Sequence, residues 1–306
     1  LKVNVLYSMT GNPMTQWPNT NMVKKALEKI PFVITADQYL TSTALYSDLV
    51  LPVTGVFETE GGLANHRSHW IQRCEKAVDG PGESKSDFEI FSELATRFGF
   101  GDAFSKPMDE MISNVLEPTG VTLDELKEKH AVCVVDDNYI PFKDGEFKTK
   151  SKKAEFWVAA WKKDGFNPIA TYARAEEDAR NGDELAQKYP LFSVQRKTYR
   201  SVHSTFNNLE WMNEVCDQAP VILINTADAE ARGIKDGDKV VVFNDRGEHH
   251  GIAEVGERIK QGVVGLQNGW WEQQGGSSSY VTNDKWKTLG GTHCCNQTLI
   301  EVKKEA

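Results

Sequence analysis

The sequence lacks the features that mark membrane-spanning, metal-binding and nucleic-acid-binding chains. No apolar run approaches the roughly 20 residues that a membrane-spanning helix requires, so we predict no direct membrane insertion. The five cysteines include no C-x-x-C pair, and we therefore predict no metal or iron–sulfur site within this chain. The net charge of -9 predicts no nucleic-acid partner, because such a partner requires a clustered basic surface.

An N-terminal methionine, a targeting segment and the G-x-G-x-x-G fingerprint of dinucleotide-binding domains are also absent. The chain begins at Leu1, and Lys2–Tyr7 already has the pattern of a strand. We therefore expect that the sequence starts inside a longer protein, and we assign no cellular location. What is present is a chain of 306 residues with 40% hydrophobic and 26% charged residues, which is typical of two globular domains.

Residues 1–104 alternate between strand and helix patterns. The alternation predicts a parallel sheet covered by helices, which is the Rossmann-like α/β class. The predicted elements are strands Val3–Tyr7, Phe32–Thr35 and Leu49–Leu51 and helices Asn21–Lys29, Thr41–Tyr46 and Asp87–Phe98.

Residues 105–187 are richer in charge and loops, and we interpret them as a bridging region rather than a compact domain. Helices are predicted there at Met108–Leu116 and Leu123–Lys129.

Residues 188–306 change to short β runs divided by turns, which predicts a compact, barrel-like domain. The runs are "YPLFSVQ", "APVILIN", "DKVVVFN", "HHGIAEV", "GVVGLQN" and "QTLIEVKK". One helix is predicted at Ala227–Arg232, with Thr226 as its N-cap and Gly233 as its C-terminal stop. The run "GGSSS" at 275–279 predicts a flexible loop.

A turn follows the first predicted strand, at the edge where an open α/β sheet presents backbone N–H groups to anions. Gly11 permits close backbone approach, Asn12 can donate and accept hydrogen bonds, and Pro13 fixes the turn. These three residues suit a phosphate or a ribose. A tight turn that holds no ligand is the alternative.

Asp37 and Gln38 follow the second predicted strand. An ionised carboxylate at this position can accept two N–H donors from the edge of a guanine. The alternative, which local grounds favour, is that Asp37 caps the helix that is predicted to begin near Thr41.

A basic and hydroxyl-rich cluster follows the first β run of the barrel-like region: Arg196, Lys197, Arg200, His203, Ser204 and Thr205. Three cations within five positions suit a pyrophosphate. In isolation the alternatives are a solvated basic loop and a structural histidine.

Several segments carry a resemblance to a known family. In order, spacing and residue type, "GNP", "MVKKALEKIPFVITADQYLTSTALYSDLVLP", "FETEGG" and "PGESKSDFEIFSELATRFG" resemble the third domain of the molybdopterin oxidoreductases of the dimethyl sulfoxide reductase family. "FKTKSKKAEFW" resembles the segment before the fourth domain of that family. "YPLFSVQRKTYRSVHSTFNNLEWMNE", "INTADAEARGIKDGDKVVVFNDRGE" and "GVVGLQNGWW" resemble the fourth domain itself, a double-psi β-barrel. The chain departs from the family pattern at Ser47, Lys152 and Lys197, where relatives usually have alanine, glycine and often histidine.

The resemblance implies a role in binding molybdopterin guanine dinucleotide, of which the longer parent holds two with molybdenum or tungsten. It also implies a [4Fe–4S] cluster in a missing N-terminal part. No catalytic residue and no metal ligand are predicted in this chain. Among the residues that the resemblance implies for cofactor binding is Asn283, for which the alternative is a turn-forming role. The residues that the resemblance places at the cofactor are Gly11, Asn12, Pro13, Asp37, Gln38, Thr41, Asp87, Arg196, Lys197, Arg200, His203, Ser204, Thr205 and Asn283.

For the parent, the resemblance implies two-electron redox chemistry, often oxygen-atom transfer, in which protein groups orient the cofactor. The implied partners are the missing N-terminal domains, an iron–sulfur electron-transfer subunit and a membrane-anchor subunit. We expect the chain alone to retain little or no cofactor and to be inactive. A non-catalytic scaffold and a stand-alone nucleotide-binding module are the alternatives. Polar groups that converge on a nucleotide favour the enzyme.

Overall fold

The computed structural model describes residues 2–64, 68–136, 138–198, 201–215, 217–286 and 291–305. The chain forms two compact units, one made of Leu1–Pro52 with Arg174–Ala306 and the other of Val53–Ala173. The predicted division into a partial α/β domain (1–104), a bridging region (105–187) and a barrel domain (188–306) remains a prediction. No helix in the described part of the chain is both long enough and apolar enough to cross a membrane.

The first unit begins with a three-stranded parallel sheet. Its strands are β1 (Val5–Met9), β2 (Phe32–Asp37) and β3 (Leu49–Pro52), with β2 in the centre. Helices α1 (Pro13–Gln16) and α2 (Thr20–Leu27) connect β1 to β2, so the parallel arrangement predicted for these strands is confirmed. A buried core joins the helices to the sheet through Met14, Val23, Leu27 and Val33.

The connection from β2 to β3 contains less helix than the sequence predicts. A 3₁₀ helix covers only Ala44–Tyr46, because side chains bind the groups that would begin the predicted helix at Thr41. The Thr41 hydroxyl donates to Asp37 Oδ2 at 3.3 Å, and Thr43 N–H donates to Asn12 Oδ1 at 3.1 Å.

The described residues of the second unit form an antiparallel sheet and four α-helices. The sheet consists of β4 (Gly62–Ala64), β5 (Trp70–Cys74) and β6 (Ala131–Cys133), with β5 in the centre. The helices are α3 (Asp87–Arg97), α4 (Met108–Leu116), α5 (Leu123–Lys129) and α6 (Ala159–Lys163).

Helices α4 and α5 have the bounds that the sequence predicts. A buried core joins them to β5 through Ile71, Ile112, Leu116, Leu123 and Leu126. This part of the middle region is therefore a packed structure and not merely a connection, because its apolar periodicity supplies a core of its own.

The rest of the first unit is built around a closed six-stranded barrel in the order β10-β8-β11-β7-β12-β9. Each of the six predicted β runs forms one strand, which confirms the barrel. The strands are β7 (Leu191–Arg196), β8 (Val221–Ile224), β9 (Lys239–Asn244), β10 (Gly247–Val255), β11 (Val263–Gln267) and β12 (Thr298–Lys304). Short α-helices flank them, among them α7 (Glu184–Lys188), α8 (Glu210–Val215) and α9 (Thr226–Glu230).

The barrel has an apolar core, and a buried histidine lies on one of its strands. Val240, Val242, Ile222 and Ile300 are at most 1% exposed and belong to one core. His249 on β10 pairs in register with Val242 and is 1% exposed, and neither ring nitrogen has a hydrogen-bond partner in the described structure. This burial lowers the pKa of His249 to about 4, because the charged imidazolium is poorly solvated there.

Of the two ends predicted for the helix in the barrel, the N-cap is wrong and the glycine at the C-terminal end is as predicted. Helix α9 is capped by Asn225 and not by Thr226, since the Asn225 side chain accepts Ala227 N–H at 3.0 Å and Thr226 is the first helical residue. Gly233 has a φ of +64° after the helix, as its predicted role as a stop requires.

The serine run is not a flexible loop. Ser277, Ser278 and Ser279 are at most 9% exposed. Ser277 and Ser279 donate to the Thr15 carbonyl at 3.0 and 2.7 Å. Small hydroxyl side chains can pack densely here because they bond to backbone groups. This contact attaches α1 to the barrel.

Further polar contacts within the first unit join the α/β segment to the barrel. Lys24 on α2 forms an ion pair with Glu272 at 2.5 Å, and its ammonium group lies over the rings of Tyr46 and Tyr280. These partners raise the pKa of Lys24 although burial opposes them. The Ser42 hydroxyl donates to Gln273 Oε1 at 2.9 Å and accepts Glu272 N–H at 2.9 Å. The two parts of this unit therefore share specific polar contacts.

Candidate functional site

The turn after β1 buries a polar side chain with unused hydrogen-bonding capacity. Asn12 is 3% exposed, and its Oδ1 accepts both the N–H and the hydroxyl of Thr43, at 3.1 and 2.7 Å. Asn12 Nδ2 has no hydrogen-bond partner in the described structure. Pro13 begins α1, where its missing N–H costs nothing. A buried unpaired amide is unfavourable by itself, so it marks a position that a ligand acceptor could occupy.

Gly11 in the same turn has room for a methyl group. A Cβ built on Gly11 would approach no atom closer than 3.7 Å, and the backbone is outside the left-handed region. Neither the packing nor the backbone of this chain therefore requires glycine at this position.

Asp37 lies at the end of β2 and is half-buried. Its carboxylate accepts Tyr39 N–H at 3.2 Å and the Thr41 hydroxyl at 3.3 Å. Burial raises the pKa of Asp37, and these hydrogen bonds partly oppose the increase. The N-cap residue of the 3₁₀ helix is Thr43, so the capping role considered for Asp37 is not observed. Gln38 is exposed beside it.

The barrel loop after β7 has a constrained backbone. His203 has a φ of +56°, which is uncommon for a residue with a side chain. The loop turns back through a hydrogen bond from Thr205 N–H to the Val202 carbonyl at 3.0 Å. His203 and Thr205 are exposed, and Ser204 is 9% exposed. Strain of this kind persists only where neighbouring contacts hold it in place.

Residues after β11 hold this loop. The Trp271 indole donates to the Ser204 carbonyl at 2.7 Å. Gly269 has a φ of +90°, and a Cβ built there would lie 1.7 Å from the His203 carbonyl oxygen. Glycine is therefore required at 269 both for its backbone conformation and for space.

A cavity of about 380 Å³ opens beside this loop. It contains three of the predicted site residues, Lys197, His203 and Ser204. Its lining residues are Thr15, Gln16, Gln195, Lys197, His203, Ser204, Asn268, Gly269, Ser279, Thr282, His293, Cys295 and Asn296.

The cavity wall has the character of an anion site. No aspartate or glutamate is among its described lining residues, whereas Lys197 and two histidines are. Thr15 is 4% exposed, and its hydroxyl has no hydrogen-bond partner in the described structure. A cation together with an unpaired hydroxyl suits a phosphate or another anionic group.

Gln16 connects this cavity to the turn after β1. Its Oε1 accepts Asn12 N–H at 3.1 Å, and its Nε2 donates to Ser204 Oγ at 3.5 Å. The α/β segment and the barrel loop, which the sequence predicts separately as cofactor-binding, are therefore in contact within one unit.

Other predicted residues lie outside the cavity. Arg196 interacts with Glu254 at 3.4 Å, and its Nε is buried without a partner in the described structure. The Asn283 side chain is used within the chain, because it donates to the Gln297 carbonyl at 2.8 Å and accepts Lys285 N–H at 2.9 Å. These bonds are of the turn-forming kind considered as the alternative for Asn283. Arg200 lies outside the described residues.

Asp87 belongs to the second unit. It is the first residue of α3, directly after the N-cap Ser86, where a negative charge is favourable. Its Oδ1 is buried and has no hydrogen-bond partner in the described structure. Its contact with a guanine remains a prediction.

Sequence reasoning missed much of the cavity wall, including Thr15, Gln16, Asn268, Gly269 and Asn296. The available signals were the glycine after β11 and the polar residues Thr15 and Gln16 within α1. In the described part of the chain, no group of three or more His, Cys, Asp or Glu side chains is arranged to hold a metal ion.

Two family models match this chain. The model described as "Molybdopterin oxidoreductase" matches residues 1–97, and "Molydopterin dinucleotide binding domain" matches residues 191–299. The second match covers most of the barrel and includes the loop that borders the cavity.

Similar proteins match nearly the whole chain. "Probable oxidoreductase YyaE" from Bacillus subtilis is 34% identical over 99% of this chain, and "Probable oxidoreductase YoaE" from the same organism is 33% identical over 99%. A dimethyl sulfoxide/trimethylamine N-oxide reductase from Cereibacter sphaeroides is 30% identical over 99%. The chain spans 42% to 45% of the length of these three relatives.

A solved structure shows the same fold. Acetylene hydratase from Pelobacter acetylenicus superposes with a TM-score of 0.86 over 98% of this chain and 44% of its own, at 21% sequence identity. At this identity the similarity concerns the fold alone.

Proposed function

Since this chain belongs to the molybdopterin oxidoreductases of the dimethyl sulfoxide reductase family, we propose that it binds molybdopterin guanine dinucleotide as part of a redox enzyme. The cofactor-binding groups lie in the first unit, around the cavity beside the barrel loop and the turn after β1. The chain supplies cofactor binding and not the metal ligand.

The observation that carries the proposal is the pair of unpaired polar groups beside a cationic cavity. The Thr15 hydroxyl in the cavity wall and Asn12 Nδ2 in the adjoining turn are buried and have no hydrogen-bond partner in the described structure, and Lys197 lines the cavity with no carboxylate among the described wall residues. Burying such groups destabilises the free chain, and a ligand that pairs with them offsets that cost. The residues present therefore fit a polar, anionic cofactor.

Each part of the site has a chemical assignment. Lys197 and Ser204 bind the pyrophosphate, with His203 beside them, through charge-assisted and hydroxyl hydrogen bonds. Asp37 accepts N–H donors of the guanine from its position at the end of β2. The lack of a side chain at Gly11 lets the nucleotide approach the backbone, as in other α/β sheets that bind ligands at strand ends.

When bound, the cofactor supplies two-electron redox chemistry at its metal, often with transfer of an oxygen atom. The chain's own groups orient the cofactor and exclude water from the cavity. We assign the barrel to the double-psi topology, which its two parallel strand pairs, β8 with β10 and β7 with β11, support.

We further propose that the chain is the C-terminal part of a longer catalytic subunit. The observation behind this is that it spans less than half of the length of its relatives. In the proposed parent, a second dinucleotide, molybdenum or tungsten, and a [4Fe–4S] cluster complete the cofactor set. An iron–sulfur subunit and a membrane-anchor subunit are the proposed partners.

The test uses the full-length protein, produced in a host that synthesises the cofactor, with metal and pterin measured per chain. Asp37→Asn removes one carboxylate oxygen, and Lys197→Glu reverses the charge of the cavity wall. Asp79→Asn and Lys260→Glu are matched controls, because both residues are exposed and lie outside the cavity.

We expect each site variant to lower the cofactor content about tenfold, because a lost charged hydrogen bond is worth about 1.5–3 kcal/mol. The controls keep the wild-type content. Full cofactor content in both site variants contradicts the proposed site. A full-length wild-type protein without pterin supports the scaffold alternative instead.

A further inference from the structure

Two adjacent cysteines lie at the cavity, and one of them forms part of its wall. Cys295 lines the cavity, and Cys294 is 8% exposed beside it. Both thiols are free. They occupy the first two positions of a turn, since Gln297 N–H donates to the Cys294 carbonyl at 3.0 Å. The cofactor assignment above gives them no role.

This turn is attached to the barrel wall by a short chain of hydrogen bonds. Asn296, the third residue of the turn, accepts Gln195 N–H through Oδ1 at 2.7 Å. The Gln195 side chain accepts the Ser278 hydroxyl at 2.6 Å and donates to Thr282 Oγ1 at 3.4 Å. A change in the conformation of the turn therefore reaches several residues of the same wall.

We propose that Cys294 and Cys295 form a reversible disulfide that blocks loading of the cavity in the oxidised state. The disulfide itself rests on the placement of the two thiols, whereas its effect on loading rests on the proposed function. The oxidant is a low-molecular-weight disulfide.

The chemistry is two successive thiol–disulfide exchanges. Cys295, the more exposed thiol, attacks a sulfur of the reagent, forms a mixed disulfide and releases one reagent thiolate. Cys294 then attacks Cys295 Sγ and releases the second thiolate. Two electrons and two protons pass from the protein to the reagent, which leaves as two thiols, so the atoms and electrons balance.

The ring that forms is easily reduced. Adjacent Cα atoms lie about 3.8 Å apart across a trans peptide, whereas unstrained disulfides join Cα atoms about 4.4–6.8 Å apart. A strained disulfide is more oxidising and is reopened by thiols, as a regulatory bond requires. Burial raises the pKa of Cys295, so the thiolate is scarce at neutral pH and the exchange accelerates as the pH rises.

The first experiment treats the purified chain with oxidised and reduced glutathione in varied ratio. The mass of the tryptic peptide that contains both cysteines is then measured by mass spectrometry. We expect it to lose two hydrogen atoms under oxidising ratios and to regain them when reduced glutathione is in excess. Cys295→Ser abolishes the loss, and Cys74→Ser, which removes a half-buried free thiol of the other unit, leaves it unchanged.

The second experiment incubates cofactor-free full-length protein, reduced or oxidised, in an extract that supplies the cofactor. Pterin per chain is then measured. We expect about tenfold less loading of the oxidised protein, with recovery on reduction, and no effect of oxidation in the Cys295→Ser variant.

Each failure has its own meaning. A peptide that keeps its two hydrogens at every ratio, or that retains glutathione as a mixed disulfide, overturns the disulfide. Equal loading of oxidised and reduced protein overturns its effect on the cavity. A reduced protein that takes up no cofactor overturns the proposed function and the loading effect together, whereas the peptide masses still test the disulfide.

Discussion

The side-chain amide of Gln16 lies between two parts of the candidate site, and its Nε2 donates to Ser204 Oγ at 3.5 Å. The other end of the same amide accepts Asn12 N–H at 3.1 Å. One residue of α1 thus contacts both the turn after β1 and the strained loop of the barrel. Because it contacts both, the position of each depends in part on the other.

Replacing Gln16 with leucine tests this connection. We expect Gln16→Leu to lower the free energy of unfolding by about 1 kcal/mol, since one hydrogen bond near the buried turn is lost and the second is long. Gln16→Glu keeps the acceptor for Asn12 N–H and removes only the donor to Ser204, so it should cost less. Urea denaturation of the three proteins gives the values. Equal losses in the two variants would mean that the Ser204 contact carries the effect.

Gly269 is expected to tolerate no side chain. In Gly269→Ala the new Cβ would lie 1.7 Å from the His203 carbonyl, and the backbone would stay at a φ of +90°. We expect a loss of more than about 2 kcal/mol, because clash and backbone strain add. Gly262→Ala is the matched control, since Gly262 has a φ of +81° and no atom within 4 Å of the new Cβ. It should cost about 1 kcal/mol.

Urea midpoints measured for both glycine variants separate the two effects. If the two substitutions cost the same, strain alone explains them, and the close approach of Gly269 to the His203 loop is not rigid.

His249 makes the barrel sensitive to acid. The pKa of its imidazole is about 4 in the folded barrel, compared with the ordinary value of 6.5. Between these values the unfolded chain holds more protons than the folded chain, so stability falls as the pH decreases. Above pH 6.5 the titration of His249 does not lower the free energy of unfolding. By pH 4 it has lowered that free energy by about 3 kcal/mol.

The matching measurement is urea denaturation between pH 7 and pH 4. His249→Leu removes the titrating group, so its stability curve should be flatter by about 3 kcal/mol over this range. Ile222→Val, which removes one carbon atom from the same core and no titrating group, should lower stability to the same extent at every pH and keep the wild-type slope. A wild-type slope in His249→Leu would show that other groups cause the acid sensitivity.

Lys24 should contribute more to stability than its neighbour on α2. Its ammonium group contacts Glu272 at 2.5 Å and lies 5.4 and 5.0 Å from the Tyr46 and Tyr280 ring centroids. We expect Lys24→Met to cost about 1–2 kcal/mol, because a partly buried ion pair and two cation–π contacts are lost. Lys25→Met removes an exposed charge from the same turn of helix and should change little. Thermal or urea denaturation of both variants measures the loss in the free energy of unfolding. Equal losses in Lys24→Met and Lys25→Met would contradict the importance of these contacts.

The regular elements were largely predictable because their signals are local. Each of the six β runs has β-branched residues bounded by turns, and α4 and α5 have helical periodicity. The errors occur where side chains bind backbone groups. Asn225, not Thr226, caps α9, and hydrogen bonds to Asp37 and Asn12 replace the predicted helical turn at Thr41.

The cavity was less predictable because its wall comes from distant segments. Gln16 and Ser204 are 188 positions apart and meet only in the folded unit. The "GGSSS" run has the composition of a flexible loop, yet Ser279 is buried because it donates to the Thr15 carbonyl. Amino-acid composition indicates how flexible a segment is when it is exposed to water. It does not indicate which hydrogen-bond partners bury that segment in the folded protein.

Gly11 provides a test that separates ligand binding from folding. A methyl group added at Gly11 would come no closer than 3.7 Å to any atom of the chain, and the backbone there is outside the left-handed region. Gly11→Ala should therefore leave the urea midpoint unchanged or raise it slightly, since alanine restricts the unfolded chain.

If the space beside Gly11 accommodates the nucleotide, the same methyl group should lower the pterin content of the full-length protein several-fold, because it occupies part of that space. Gly256→Ala is the control, because a Cβ there meets no atom within 4 Å and Gly256 lies outside the cavity wall. Unchanged pterin content in Gly11→Ala would mean that the nucleotide does not approach this turn, and the phosphate or ribose contact predicted for residues 11–13 would then be wrong.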